Sequence, residues 1–118
     1  MEMTGIPARG TIRIRIGDRD EVVTEAPAAS GYIVGRSDPK SSYLPDIDLS
    51  TFDALDKGIS RRHAALVRYQ DHLHLVDLGS VNGTFINDER LRPDEPYLLN
   101  AGDHVRLGTL EILITQND

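Results

Sequence analysis

Gly-Ile-Ser-Arg-Arg-His-Ala at residues 58–64 and Asp-Leu-Gly-Ser-Val-Asn-Gly-Thr at residues 77–84 decide how this chain is read. Each stretch combines a small polar residue, a side chain able to hold an anion or a peptide backbone, and a turn former. Each interrupts hydrophobic runs of strand character. A third piece, Gly35-Arg36, ends the earlier run Tyr32-Ile33-Val34. The pattern predicts loops gathered at one end of a β-domain and built to grip a phosphate. That is the layout of a binding module rather than a catalyst.

Outward from these loops, the chain reads as short strands and turns. Residues 11–16 alternate, with Ile12, Ile14 and Ile16 on one face and Thr11, Arg13 and Arg15 on the other. This is the period of a half-buried strand, and the two arginines read as its wet face. Residues 17–20 form a turn and 21–25 a return strand. Residues 63–69 and 72–78 form a hairpin joined near Gln70-Asp71, with Leu73 and Leu75 on one face and His72, His74 and Val76 on the other. Strands at residues 84–86 and 89–91 flank Asn87-Asp88, another tight turn. Residues 97–99, 104–107 and 110–115 complete about ten strands, with no structural helix and no repeat. The fold class is all-β, a sandwich. Residues 1–10, with Gly5, Pro7 and Gly10, read as a flexible tail, and 11–118 as the domain. Residues 36–59 hold no period beyond a short helical turn near 51–55. Loops of that length are usually functional or mobile.

Composition narrows the function. One domain fits 118 residues. With no Trp and 5% aromatics, the core must be aliphatic. A net charge of −6 argues against nucleic acid as the main partner. No cysteine is present, which removes disulfides and thiolate zinc sites. No apolar run reaches the length of a membrane span, and the N-terminus lacks a signal core. The expectation is a cytoplasmic domain, without membrane partner, cofactor or metal, and monomeric in isolation.

Several residues carry alternatives. Arg36 is either a solvated surface arginine or a bidentate anion clamp. Ser60 and His63 are either a turn serine with a satisfied histidine or a nucleophile and base. No Gly-x-Ser-x-Gly elbow supports the second option, and no acid is placed to orient the imidazole. Asn82-Gly83 is either a tight-turn dipeptide or a carboxamide that reads a peptide backbone. Asp46-x-Asp48-x-Ser50 starts like a calcium loop but fails at Thr51 and Lys57. His72 and His74 share a face without a third ligand, and exposed polar alternation accounts for both. Between Arg36 and His63, five basic residues balance five aspartates, so a cationic pocket there must come from geometry.

The order Gly35-Arg36, Ser60-Arg61-Arg62-His63-Ala64, residues 77–87, then Leu99-x-x-Gly102-Asp103-x-Val105-x-Leu107-Gly108 resembles the forkhead-associated (FHA) domain from about Gly31 onward. The resemblance implies a β-sandwich of about eleven strands in two mostly antiparallel sheets, with the binding site in loops at one end. It implies a phosphothreonine-peptide binding module acting downstream of a Ser/Thr kinase, with no enzyme activity and no cofactor. Arg36, Ser60 and Arg61 would hold the phosphate, and Asn82 the peptide main chain. Ser80 and Val81 would line the pocket, while Gly35, His63 and Gly83 would shape the loops. Val81 stands where the family often has threonine, and residues 37–59 are longer than its usual spacing. A scaffold for phosphate-independent protein contacts is the alternative. An intramolecular variant has Thr4 or Thr24 phosphorylated and folded back onto the site.

Overall fold

A computed structural model describes residues 5–18 and 20–117. The alternating isoleucines form β1 (Thr11–Ile16), which turns back into β2 (Asp20–Glu25). Ile12, Ile14 and Ile16 are buried, whereas Arg13 lies outside and pairs with Glu21 across the hairpin at 2.7 Å. Next come β3 (Tyr32–Gly35), β4 (Ile47–Asp48), β5 (Ala64–Tyr69), β6 (His72–Asp77), β7 (Thr84–Ile86), β8 (Glu89–Arg90), β9 (Tyr97–Leu98), β10 (Val105–Leu107) and β11 (Leu110–Asn117).

Two sheets result. The six-stranded one runs β2-β1-β11-β10-β7-β8 and the five-stranded one β4-β3-β5-β6-β9. Every named pairing is antiparallel except β3 with β4. Their inner faces enclose a core that is almost wholly aliphatic, as a chain without tryptophan requires. The hairpin turns at Gln70-Asp71 and Asn87-Asp88 have both central residues at positive φ, the type I′ geometry that matches the twist of the flanking strands.

Three expectations need correction. The supposed tail is part of the sandwich from residue 5 on. Ile6 and Ala8 are buried, Ile6 N–H donates to the Leu99 carbonyl, and Leu73 N–H donates to the Ile6 carbonyl. Ile6 and Ala8 have strand spacing, but the intervening Pro7 and the flanking glycines obscured it. Residues 1–4, Thr4 among them, lie outside the described residues. Thr24 sits in β2 with its hydroxyl 3.3 Å from that of Tyr32, at the opposite end of β3 from Gly35.

His74 is buried rather than exposed, covered by the edge of Tyr69 at 5.1 Å between ring centres. Its Nδ1 faces the His72 carbonyl.

Residues 36–59 are not structureless. They contain β4, too short to show any period, with Ile47 and Leu49 in the core. Asp46 accepts from Ile33 N–H at 2.8 Å, and Asp48 accepts from Ser37 and Ser50 N–H. The segment ends in a run of turns closed by Gly58 at φ +80°. Gly58 N–H donates to Leu55 and Ile59 N–H to Ala54, the pairing that commonly terminates a helix. Ala54 and Ile59 are both buried.

Candidate functional site

At one end of the sandwich the loops after β3, before β5 and after β6 meet. Gly35 makes the first junction possible. A Cβ on it would lie 1.9 Å from the Arg61 carbonyl oxygen, so only glycine lets the two backbones approach. Arg36 N–H donates to that same carbonyl at 3.2 Å. The Arg36 guanidinium folds along the next strand entry, and its Nε donates to the Ile59 carbonyl at 2.8 Å. Among the described residues its two terminal nitrogens have no hydrogen-bond partner, and they lie beside a cleft of about 810 Å3 whose lining includes Ser37, Ser50 and the carboxylates Asp38, Asp53 and Asp56.

His63 ties the second junction from below. It is fully buried. Its Nδ1 accepts from Ser60 N–H at 3.0 Å, which puts the proton on Nε2, and Nε2 donates to the Gly83 carbonyl at 2.8 Å. Burial pushes its pKa below the ordinary histidine value, against the hydrogen bond to Gly83 and the charge of Asp77. With both ring nitrogens occupied, none is left for the Ser60 hydroxyl. The nucleophile–base option therefore has no geometry behind it.

The Ser60 hydroxyl instead accepts from Val81 N–H at 3.2 Å. Asn82 donates through Nδ2 to the Gly58 carbonyl at 3.0 Å, which leaves its carbonyl oxygen for other partners. Gly58 and Gly83 both adopt positive φ here. Arg36, Ser60 and Asn82 thus converge on one strip of backbone, residues 58–61. Val81 stands at its edge, 80% exposed. Arg61 is exposed beside it.

Ser80, expected to line the pocket, is turned inward. Its hydroxyl donates to Asp77 Oδ1 at 2.6 Å and accepts from Gly83 N–H at 3.0 Å. Asp77 is the hub that sequence reading missed. Buried at the end of β6, it accepts from the Ser80 and Thr84 hydroxyls and from the N–H groups of Gly79 and Ser80. The signal was present as Asp-x-Gly-Ser, a side chain able to bond its own backbone two residues on. Asp48 plays a smaller version of this role under the cleft. Partial burial pushes its carboxyl up, but hydrogen bonds from Ser37 and Ser50 outweigh that and hold it below the usual aspartate value.

The arrangement offers free guanidinium donors, a hydroxyl and a carboxamide at one loop cluster. Among the described residues, no three histidine, aspartate or glutamate side chains gather as a metal site. The FHA domain family matches residues 32–108, the span from β3 to the turn after β10. The chain belongs to the FHA domain family. The opening hairpin and β11 lie outside that span yet complete the six-stranded sheet.

Relatives agree. Protein FraH of Nostoc sp. is 34% identical over 98 residues, covering 83% of this chain and 33% of FraH. The oxoglutarate dehydrogenase inhibitor of Corynebacterium jeikeium is 32% identical over 93 residues, covering 78% of this chain and 60% of the inhibitor. This FHA chain therefore spans only part of these relatives. A solved FHA domain, studied for phosphothreonine-dependent FHA domain interactions, matches with a TM-score of 0.68 at 25% identity, covering 92% of this chain and 99% of its own.

Proposed function

We propose that this FHA domain binds phosphothreonine-containing segments and thereby recruits proteins phosphorylated by a Ser/Thr kinase, without catalysis of its own. The observation that carries the reading is the set of three tethers, Arg36 to Ile59, Ser60 to Val81 and Asn82 to Gly58, that bring three side-chain types to one place. Phosphothreonine brings nearly two negative charges and three acceptor oxygens. Arg36, Ser60 and Arg61 are the groups that would meet them, with charge-assisted bonds from the guanidiniums. The free carbonyl oxygen of Asn82 suits a peptide N–H next to the phosphothreonine, and the methyls of Val81 suit the threonine methyl. A solved relative studied for phosphothreonine-dependent interactions, and another named as an inhibitor of an enzyme, fit a domain that acts by binding. A net charge of −6 fits a domain whose partner is not nucleic acid, and we further infer a cytoplasmic domain, monomeric in isolation and without a membrane partner.

The test is an oriented phosphothreonine peptide library, screened with its unphosphorylated counterpart against wild type and Arg36→Ala. Selected phosphopeptides should lose about 2–4 kcal/mol of binding on Arg36→Ala, as when one partner of a desolvated charge pair is removed. Equal binding of phosphorylated and unphosphorylated peptides would reject the reading in favour of a phosphate-independent interaction scaffold.

A further inference from the structure

Arg61 and Arg62 follow Ser60 on the exposed rim of the loop that closes against Gly35. Together with Tyr43 they line a cleft of about 360 Å3 that no carboxylate lines. Among the described residues neither guanidinium has an ion pair, whereas Arg13, Arg68 and Arg106 each face a carboxylate. In a chain of net charge −6, two uncompensated cations in one cleft stand out. Asp53 and Asp56 line the neighbouring Arg36 cleft, and three further aspartates accept backbone hydrogen bonds. Asp38 accepts from Lys40 N–H, Asp46 from Ile33 N–H, and Asp48 from Ser37 and Ser50 N–H.

Tyr43 adds an independent observation. Its hydroxyl is buried and has no hydrogen-bond partner among the described residues. An orphaned buried hydroxyl is unfavourable, and because it is closed off from solvent the Tyr43 side chain has to shift before it can meet a ligand in the cleft. The two exposed guanidinium forks are donors with no carboxylate beside them in the cleft, and a shifted Tyr43 would add its O–H, a set that suits the tetrahedral oxygens of a phosphate.

We propose that the Tyr43–Arg61–Arg62 cleft is a second anion subsite, which takes a further phosphate group on the same bound segment, so that doubly phosphorylated partners are preferred. The proposal rests on the phosphothreonine reading for the first site, and Arg61 is shared between the two. Arg62 lies two residues from Ser60, so their Cα atoms are within about 7 Å, and an extended peptide advances about 3.3 Å per residue. Allowing for side-chain reach, the second phosphate belongs two to four residues from the phosphothreonine.

The experiment is fluorescence anisotropy with four kinds of peptide: unphosphorylated, singly phosphorylated, doubly phosphorylated with the second phosphate two to four residues before or after the first, and the same series with glutamate in place of the second phosphate. At least one doubly phosphorylated register should bind wild type about ten-fold tighter than the singly phosphorylated peptide. Glutamate should recover only a small part of that gain. Arg62→Ala should abolish the gain while leaving affinity for the singly phosphorylated peptide unchanged, because Arg62 lies on the exposed rim outside the first site. Tyr43→Phe should reduce the gain a few-fold. The subsite is refuted if no register binds tighter, or if the gain survives Arg62→Ala. An equal gain from glutamate overturns the phosphate preference and leaves a carboxylate as the ligand. Failure of the first reading looks different, since the singly phosphorylated peptide then binds no better than the unphosphorylated one. If no phosphorylated peptide binds, both are overturned together.

Discussion

Replacing His63 by alanine removes the post on which two of the three recognition loops stand. The imidazole is fully buried and joins Ser60 N–H to the Gly83 carbonyl. Deleting a buried ring of this size costs about 2–4 kcal/mol in lost packing and residual cavity, by analogy with large-to-small core substitutions. The hydrogen bonds add less than two orphaned groups would suggest. The Gly83 carbonyl keeps a second donor, Gly108 N–H at 2.9 Å, and Ser60 N–H is only partly buried. About 1 kcal/mol covers that part, for a total of roughly 3–5 kcal/mol. Against a stability of about 5–15 kcal/mol, this is a large fraction, and urea denaturation at neutral pH would read it directly.

The same histidine adds a pH signature. Its folded-state pKa is depressed by burial, so the folded protein holds it neutral. In the unfolded chain it titrates near 6.5. Its contribution to stability is therefore fully present above about pH 6.5 and is lost as the pH falls from there toward the folded value, where the unfolded state takes up the proton first. Wild type should lose stability over that window, and His63→Ala should lack this component. A stability change below about 1 kcal/mol with parallel pH profiles for the two proteins would refute the role assigned to this residue.

Two further outcomes are expected. Gly35→Ala should destabilise by about 1–3 kcal/mol or more, the usual cost of overpacking, because its Cβ would overlap the Arg61 carbonyl. It should also weaken phosphopeptide binding, since the displaced backbone carries Arg61, and calorimetry of folding and binding that match wild type would contradict this. Asp77→Ala strips the partners from two hydroxyls and two N–H groups at once. It should cost about 2–5 kcal/mol, since each buried donor left unsatisfied costs about 1–3 kcal/mol and some will find other partners; thermal unfolding reads it, and a loss under about 1 kcal/mol would show that the carboxylate is not the hub of its loop.

The local signals were legible because they are short-range. The alternation at residues 11–16 fixes which isoleucines go inward, and the positive-φ turns at 70–71 and 87–88 follow from local backbone preference. The order of Gly35, Ser60, His63, Asn82 and Gly83 pointed to the family before any contact was known. What was illegible depended on partners far along the chain. Ile6 is strand-like only because Leu73 and Leu99 hold hydrogen bonds ready for it, and Ala8 because the Asp71 carbonyl does. β4 has two residues, and its identity comes from Val34 and Gly35 beside it.

An aliphatic all-β domain, its tight turns and the side-chain types offered to a ligand are written in local order, because propensity and period act within a few residues. Long-range packing sets Ser80 against Asp77, lets Asn82 clasp Gly58, and puts Tyr43, Arg61 and Arg62 around one cleft. The physical reason is that hydrogen bonds and excluded volume between loops distant in sequence, with Gly35 admitting the closest approach, set where each polar side chain can find or lack a partner.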